Sequence, residues 1–130
     1  RDGEDMEGAK EALRRLRAGR LVAIFPEGGI HFGPGLGKFI PGVAWLALRG
    51  NVPVIPVIVR NAPYREPIMS SYLMRQPADA VFGPPIDLSR WQGVRITQDV
   101  LREVTEYLRD VLLQLQAELP PAPFAPPLNR

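Results

Sequence analysis

The sequence predicts an α/β domain in which a mixed, largely parallel sheet is flanked by helices. Two short apolar runs without a helical period, at 20–25 and 52–59, are typical of strands buried on both faces. A stretch with helical character at 41–50 separates them. Strand, helix and strand in this order form a crossover, which is expected to be parallel and right-handed within one sheet.

An amphipathic helix is expected at the start of the chain, over Glu4–Ala18. Its apolar residues recur at three- and four-residue intervals, and they are Met6, Ala9, Leu13 and Leu16. Gly19 is suited to end this helix, because glycine readily adopts the left-handed conformation of the C′ position. The opposite face carries Lys10, Arg14, Arg15 and Arg17. Such a face is either solvated or attracted to anionic lipid headgroups.

The second helix and the strand after it are marked by their prolines and glycines. Pro41 is well placed in the first turn of a helix, and Gly50 is expected to end it. Because this helix is apolar nearly all round, it must be covered on several sides. The following run, Val52–Val59, is rich in β-branched residues, as buried strands are. Pro53 and Pro56 remove two ladder donors, which indicates an edge or an opening beside this strand.

The rest of the chain is expected to hold one short strand and one long helix. Prolines interrupt residues 61–77, and a strand is expected at Ala80–Phe82, before a Gly-Pro-Pro turn. Thr97 is suited to the N-cap of the last helix. The core-facing stripe of that helix comprises Leu101, Val104, Leu108, Val111, Leu112 and Leu115. Residues 1–119 are therefore interpreted as one domain, and the proline-rich segment 120–130 as a disordered tail.

Composition excludes several classes of function. Sixteen Lys and Arg against 14 Asp and Glu give a net charge of +2, which does not favour a nucleic-acid binder with a broad basic face. The sequence has no cysteine, so disulfides, thiolate metal sites and cysteine nucleophiles are excluded. His31 is the only histidine, which excludes a histidine-rich metal site. No apolar run reaches the ~20 residues that a membrane-spanning helix needs.

The candidate binding residues lie in the loop after the first expected strand. Ligands of open α/β sheets bind in the crevice at the carboxyl ends of the strands. This loop opens with Phe25, Pro26, Glu27 and Gly28. Pro26 fixes its own φ, Gly28 permits unusual dihedrals or a close approach to a ligand, and Glu27 is presented between them. Its carboxylate could accept hydrogen bonds from a substrate hydroxyl, although a solvated loop acid or a helix cap gives the same pattern.

Three segments of the chain carry a family resemblance. They are Phe-Pro-Glu-Gly at 25–28, a Phe and a Gly at 39 and 42 ahead of Ala-Trp-Leu-Ala at 44–47, and Val-Pro-Val-Ile-Pro-Val at 52–57. Together they resemble the phospholipid and glycerol-phosphate acyltransferases, which include the lysophosphatidic acid acyltransferases, through about residues 1–115. The resemblance implies the C-terminal part of a glycerol-3-phosphate acyltransferase-like domain.

The resemblance also implies an activity. In this family an acyl group passes from acyl-CoA or acyl carrier protein to a lysophospholipid such as 1-acylglycerol-3-phosphate, as a step of phospholipid biosynthesis. Phe25, Pro26, Glu27 and Gly28 match the block that binds the acceptor. The implied partners are these two substrates and a membrane surface at its cytoplasmic face, with no nucleic acid, no metal and no cofactor besides the acyl donor.

The catalytic base is expected outside this chain. The family uses a His-x-x-x-x-Asp block, in which the aspartate orients the histidine that acts as general base. Leu36 stands five residues after His31, so this block is missing. The resemblance therefore implies that the block lies upstream of Arg1, that Arg1 is the phosphate-binding arginine of the second block, and that residues 1–130 alone are inactive. His31 is interpreted as a surface or loop-packing residue; alternatively, Asp79 or Asp87 orients it as a base.

Two departures from the family pattern concern the acceptor headgroup. Ile30 stands where many members have an arginine for the acceptor phosphate, and Ile40 stands where many have a lysine. A lost charge-assisted contact costs ~1.5–3 kcal/mol. Either Lys38 or Arg60 replaces that contact, or the headgroup is not a simple phosphomonoester.

Two other functions are compatible with the sequence. One is a non-catalytic lipid- or anion-binding module of the same fold, which has lost the base. The other is a small protein-interaction domain, which predicts no lipid-sized groove beside Glu27.

Overall fold

Three α-helices and a two-stranded sheet make up the computed structural model, which describes residues 2–28, 35–60 and 78–121, with side chains from Met6 onward. The elements are α1 (Asp2–Arg17), α2 (Pro41–Gly50), β1 (Val57–Arg60), β2 (Asp79–Phe82) and α3 (Gln98–Glu118), with a 3₁₀ turn at Ser89–Trp91. The mixed α/β class is confirmed. The proline-broken segment 61–77 and residues 122–130 of the proline-rich tail lie outside the described residues.

The sheet is antiparallel within the described residues, so the prediction of a largely parallel sheet is wrong there. Val57 of β1 lies opposite Phe82 of β2, and Arg60 lies opposite Asp79. The short strand expected at Ala80–Phe82 is confirmed as part of β2. The predicted crossover leads from a strand at 20–25 through α2 to the next strand. In the structure α2 precedes both β1 and β2 in the chain, so it does not connect these two strands.

The strand expected at 52–59 begins only at Val57. Pro56 has no N–H to donate, and its carbonyl instead accepts a hydrogen bond from the N–H of Gly83 over 2.9 Å. Similarly, the carbonyl of Val54 accepts from the N–H of Ile86 over 2.8 Å. The prolines therefore reduce the first half of this strand to isolated carbonyl contacts.

Residues 20–25 form no strand, which corrects the prediction of a buried strand there. Leu21 is 94% exposed and Phe25 is 80% exposed. No backbone N–H of residues 21–25 donates to another backbone group in the described part of the chain. The apolar run indicates only that this segment can be buried, whereas a strand also needs a neighbouring edge with which to pair. None of the described segments provides that edge.

The end of α1 follows the sequence prediction. Gly19 has a φ of +73°. Its N–H donates to the carbonyl of Leu16, and the N–H of Arg20 donates to the carbonyl of Arg15, each over 3.0 Å. This pair of bonds is a Schellman motif, so the predicted glycine stop is confirmed.

The second helix begins at Pro41 as predicted and ends one residue later than predicted. Gly50 is still helical, and Asn51 takes the left-handed conformation with a φ of 48°. Asparagine is one of the few residues other than glycine that tolerate this region. The helix packs between α1 and α3, as its apolar surface requires.

The core lies between α2 and α3. The hydroxyl of Thr97 accepts from the N–H of Val100 over 3.3 Å, which confirms the predicted N-cap of α3. The buried residues of the core are Phe39, Ala44, Trp91, Leu101, Val104 and Leu108. Because α3 also packs on β1, it joins the helical layer to the sheet.

Candidate functional site

A tight turn at 25–28 presents Glu27. The N–H of Gly28 donates to the carbonyl of Phe25 over 3.1 Å, which closes the turn. Gly28 has a φ of +69°, and a Cβ atom at this position would lie 3.0 Å from Cγ2 of Ile40. The backbone conformation and the close approach both require glycine here.

Ile40 attaches this turn to the N-terminal end of α2. Its N–H donates to the carbonyl of Pro26 over 2.8 Å, and it is the N-cap residue of the helix. The preceding residue, Phe39, is 3% exposed and belongs to the core. Since the N-terminal end of a helix carries partial positive charge, an anionic group is favoured in this location.

Glu27 is the acidic residue of this turn. The residue is half-buried, as is Pro26, whereas Phe25 is largely exposed. Among the residues that the structure describes, no cationic side chain forms an ion pair with Glu27. A carboxylate accepts hydrogen bonds and donates none, so it suits an incoming hydroxyl.

Lys38 is exposed two residues before Ile40. The backbone just before it is held by α3, since Arg109 donates from Nε to the carbonyl of Gly37 over 3.0 Å and from Nη2 to the carbonyl of Leu36 over 3.2 Å. Sequence reasoning missed Arg109. Its only signal is its place directly after Leu108, at the edge of the apolar stripe of α3.

Arg60, the alternative to Lys38 as a headgroup ligand, is engaged elsewhere. Its Nε donates to Oδ2 of Asp79 over 3.1 Å, its Nη2 bonds to the same oxygen, and its Nη1 donates to the carbonyl of Pro120 over 2.5 Å. The side chain is 17% exposed. Arg60 is therefore a structural residue at the end of the sheet and not a free phosphate ligand. Asp79, a carboxylate considered for orienting His31, is engaged in the same ion pair.

The remaining predicted residues are separate from this turn or undescribed. Arg1 and His31 lie outside the described residues. Asp87, the other carboxylate considered for orienting His31, accepts a hydrogen bond from the N–H of Ser89 over 2.9 Å. The side chain and the N–H of Ser89 hold the pKa of Asp87 below its usual range.

A groove of about 440 Å³ lies near the other end of α2. It is bordered by the last turn of that helix and by residues 86–96, including Trp91 and Val94. Neither the 25–28 turn nor Lys38 lines it. Because α2 has ten residues, its length of ~15 Å separates this groove from the turn. It is therefore not the lipid-sized groove that the acyltransferase interpretation expects beside Glu27.

Two further properties concern metals and membranes. Across residues 2–28, 35–60 and 78–121, no three His, Asp or Glu side chains come together in a group able to hold a metal ion. No helix in this part of the chain combines the length and the hydropathy that crossing a bilayer requires.

Comparison with known proteins relates the first part of the chain to a protein family. Residues 1–60 match a family model described as Acyltransferase. The matched residues include α1, the 25–28 turn, Lys38, α2 and β1. No curated protein and no solved structure matches the chain.

Proposed function

We propose that this chain, whose residues 1–60 match the Acyltransferase family model, transfers a fatty acyl group from acyl-CoA or acyl carrier protein to a lysophospholipid such as 1-acylglycerol-3-phosphate. The acceptor hydroxyl oxygen bonds to the thioester carbonyl carbon, and the carbon–sulfur bond breaks. The hydroxyl proton passes through a general base to the leaving thiolate. The product is a diacyl phospholipid, so the reaction is a step of phospholipid biosynthesis.

The 25–28 turn is the observation that carries this proposal. It lies within the matched residues, and Ile40 and the glycine conformation at 28 fix its backbone. Glu27 is half-buried, and its carboxylate accepts a hydrogen bond from the acceptor. Arg1 and Lys38 are the cations for the acceptor headgroup, and the exposure of Lys38 supports its part in this role.

The general base comes from outside this chain in our proposal. The support is that His31, the only histidine, has no aspartate five residues after it. Residues 1–130 alone are therefore expected to be inactive, and the complete gene product is the protein to assay.

The exposed side of α1 attaches the protein to the cytoplasmic face of a membrane. It presents Lys10, Arg14, Arg15 and Arg17. Glu11 bonds to Arg14 and Arg15 and offsets one of these four charges. Basic residues near an anionic surface contribute about 1 kcal/mol each, and both substrates of the reaction partition into such surfaces.

The test is acyl transfer by the complete gene product, with acyl-CoA or acyl carrier protein as donor and with lysophosphatidic acid or lysophosphatidylcholine as acceptor. Glu27→Gln is expected to lower kcat/KM by ~10–100-fold, because a charged hydrogen-bond acceptor is lost. Glu7→Gln, on the exposed surface of α1, is the matched control and should change kcat/KM less than twofold. Equal effects of the two substitutions would exclude Glu27 from acceptor binding.

The same assay tests Lys38. Lys38→Ala is expected to reduce the preference for lysophosphatidic acid over the zwitterionic acceptor by about tenfold, since the phosphomonoester loses its cation. Arg95→Ala, which removes an exposed charge from the loop before α3, should leave that preference unchanged. If Lys38→Ala also leaves it unchanged, the headgroup is recognised elsewhere.

A second candidate function is a non-catalytic lipid- or anion-binding module of the same fold. A gene that encodes no His-x-x-x-x-Asp block upstream of Arg1 would favour it. Binding of lysophosphatidic acid by the complete gene product, without acyl transfer from either donor, would establish this alternative.

A further inference from the structure

Arg109 connects α3 to the loop that leads into α2. Its guanidinium donates to two consecutive backbone carbonyls, those of Leu36 and Gly37, which are 73 and 72 positions away in the sequence. The side chain is half-buried. A planar guanidinium offers several donors in fixed directions, so one arginine can hold both carbonyls at once, which a lysine ammonium does less rigidly.

Lys38 lies between two fixed points of this loop. Arg109 holds the carbonyls just before it, and the side chain of Phe39 is buried in the core just after it. The backbone of Lys38 is therefore constrained on both sides, although its side chain is exposed.

The constraint continues from this loop to the Glu27 turn. Ile40 follows Phe39 directly, donates its N–H to the carbonyl of Pro26, and lies against Gly28. An unbroken series of contacts thus joins the guanidinium of Arg109 to the backbone on both sides of Glu27.

The contact is separable from the packing of α3. Leu101, Val104 and Leu108 hold this helix in the core, and each is at most 8% exposed. Removal of the guanidinium alone leaves those three residues buried. Its effect is therefore expected in the loop rather than in the global stability of the domain.

We infer that Arg109 is a positioning residue that holds Lys38 and the Glu27 turn in the arrangement that binds the acceptor. This inference rests on the proposed function, and it concerns a residue outside the matched segment 1–60. Without the two hydrogen bonds, the loop populates other arrangements, and the apparent affinity for the acceptor falls in proportion to the fraction that remains competent.

The experiment compares Arg109→Met, Arg109→Lys and Arg102→Met in the complete gene product. Methionine keeps the aliphatic volume of the side chain and removes its donors. Arg102 lies on the same helix, is exposed, and bonds to Asp99 within its own helix, so its substitution is the matched control. The kinetic measurements are the KM for lysophosphatidic acid, the KM for the acyl donor, and kcat.

Arg109→Met is expected to raise the acceptor KM about tenfold, with the donor KM and kcat within twofold of the parent protein. Arg109→Lys is expected to restore part of that loss. A merely structural role would instead lower the amount of active protein, and hence kcat, without changing the acceptor KM. An acceptor KM that matches the Arg102→Met value would overturn the inference.

Hydrogen exchange provides a readout that does not depend on acyl transfer. The amide of Ile40 is expected to exchange about tenfold faster in Arg109→Met, whereas the amides of Val104 and Leu108 keep their protection. Unchanged exchange at Ile40 would overturn the inference even if KM rises. If the parent protein transfers no acyl group to any lysophospholipid, the proposed function fails, while the exchange at Ile40 still decides whether Arg109 fixes this loop.

Discussion

The two sides of the domain differ in how completely they are packed. Between α2 and α3, Ala44 and Val104 are fully inaccessible and Leu108 is 2% exposed. By contrast, Leu21 and the outward-facing sheet residues Val59 and Phe82 are more than half exposed. We call these regions the closed side and the open side.

The difference follows from the kind of contact each side needs. Helices acquire their hydrogen bonds within one segment, so α2 and α3 require only complementary apolar stripes to pack together. Strand pairing requires a second segment that supplies a free edge. Residues 20–25 and the first half of the predicted strand 52–59 are apolar enough to be buried. The former find no edge among the residues that the structure describes, and the latter is interrupted by prolines.

The largest expected effect compares one leucine from each side. Leu108→Ala on the closed side is expected to lower the free energy of unfolding by about 3 kcal/mol, because it removes buried methyl groups and leaves a cavity. Leu21→Ala on the open side is expected to change it by less than about 0.5 kcal/mol. Urea unfolding of the two variants, followed by circular dichroism, measures both values. Comparable losses would mean that residues 20–25 are buried in solution, and the distinction between the two sides would fail.

A smaller effect tests the junction where the sheet meets α3. A Cβ atom at Gly83 would lie 2.9 Å from both Cδ2 of Leu115 and Cγ of Pro56. Gly83→Ala is therefore expected to destabilise the protein by about 1–3 kcal/mol. The control is Gly8→Ala within α1, where nothing lies within 4 Å of the added methyl group.

For that control, the helix propensity of alanine predicts stabilisation by about 1 kcal/mol. Thermal unfolding of both variants shows whether each substitution lowers or raises the stability of the protein. A neutral result for Gly83→Ala would show that the sheet moves away from α3 at little cost, which would extend the open side to this junction.

The smallest effect concerns the solvent-exposed surface of α1. Hydrogen bonds from Arg14 and then Arg15 lower the pKa of Glu11 to about 2. A carboxyl group whose pKa is lower in the folded state stabilises that state above the unfolded pKa, which is about 4.3. This contribution is expected to be lost as the pH falls from about 4.3 towards 2.

Titration of the Glu11 carboxyl carbon by NMR measures this pKa directly. In a variant with Arg14→Gln and Arg15→Gln, the pKa should return to about 4.3. A Glu11 that titrates near 4.3 in the parent protein would show that these two pairs do not persist in solution, as is common for exposed pairs.

The parts of the fold that could be predicted from the sequence are those with local causes. Gly19 and Thr97 mark helix ends through hydrogen bonds to residues three to five positions away. The end of α2 was displaced by one residue, because Asn51 takes the left-handed conformation that glycine usually supplies. The direction of strand pairing could not be predicted, since apolar runs do not specify which segment they pair with.

The candidate site divides in the same way. The turn around Glu27 is foreseeable because Pro26 and Gly28 restrict the chain beside it. Other contacts join positions that are distant in the sequence. Arg60 and Asp79 form an ion pair across 19 positions, and Arg109 contacts the loop before Lys38 across more than 70 positions. Only the packing of α3 and the register of the sheet bring these groups together.

The ion pair of Arg60 with Asp79 joins the last residue of β1 to the first residue of β2. The same guanidinium also donates to the carbonyl of Pro120, in the segment that follows α3. Because the side chains of Arg60 and Asp79 are both largely shielded from water, the loss of either one leaves the other partly buried without its counter-charge. The end of the sheet and the segment after α3 thus depend on a single arginine.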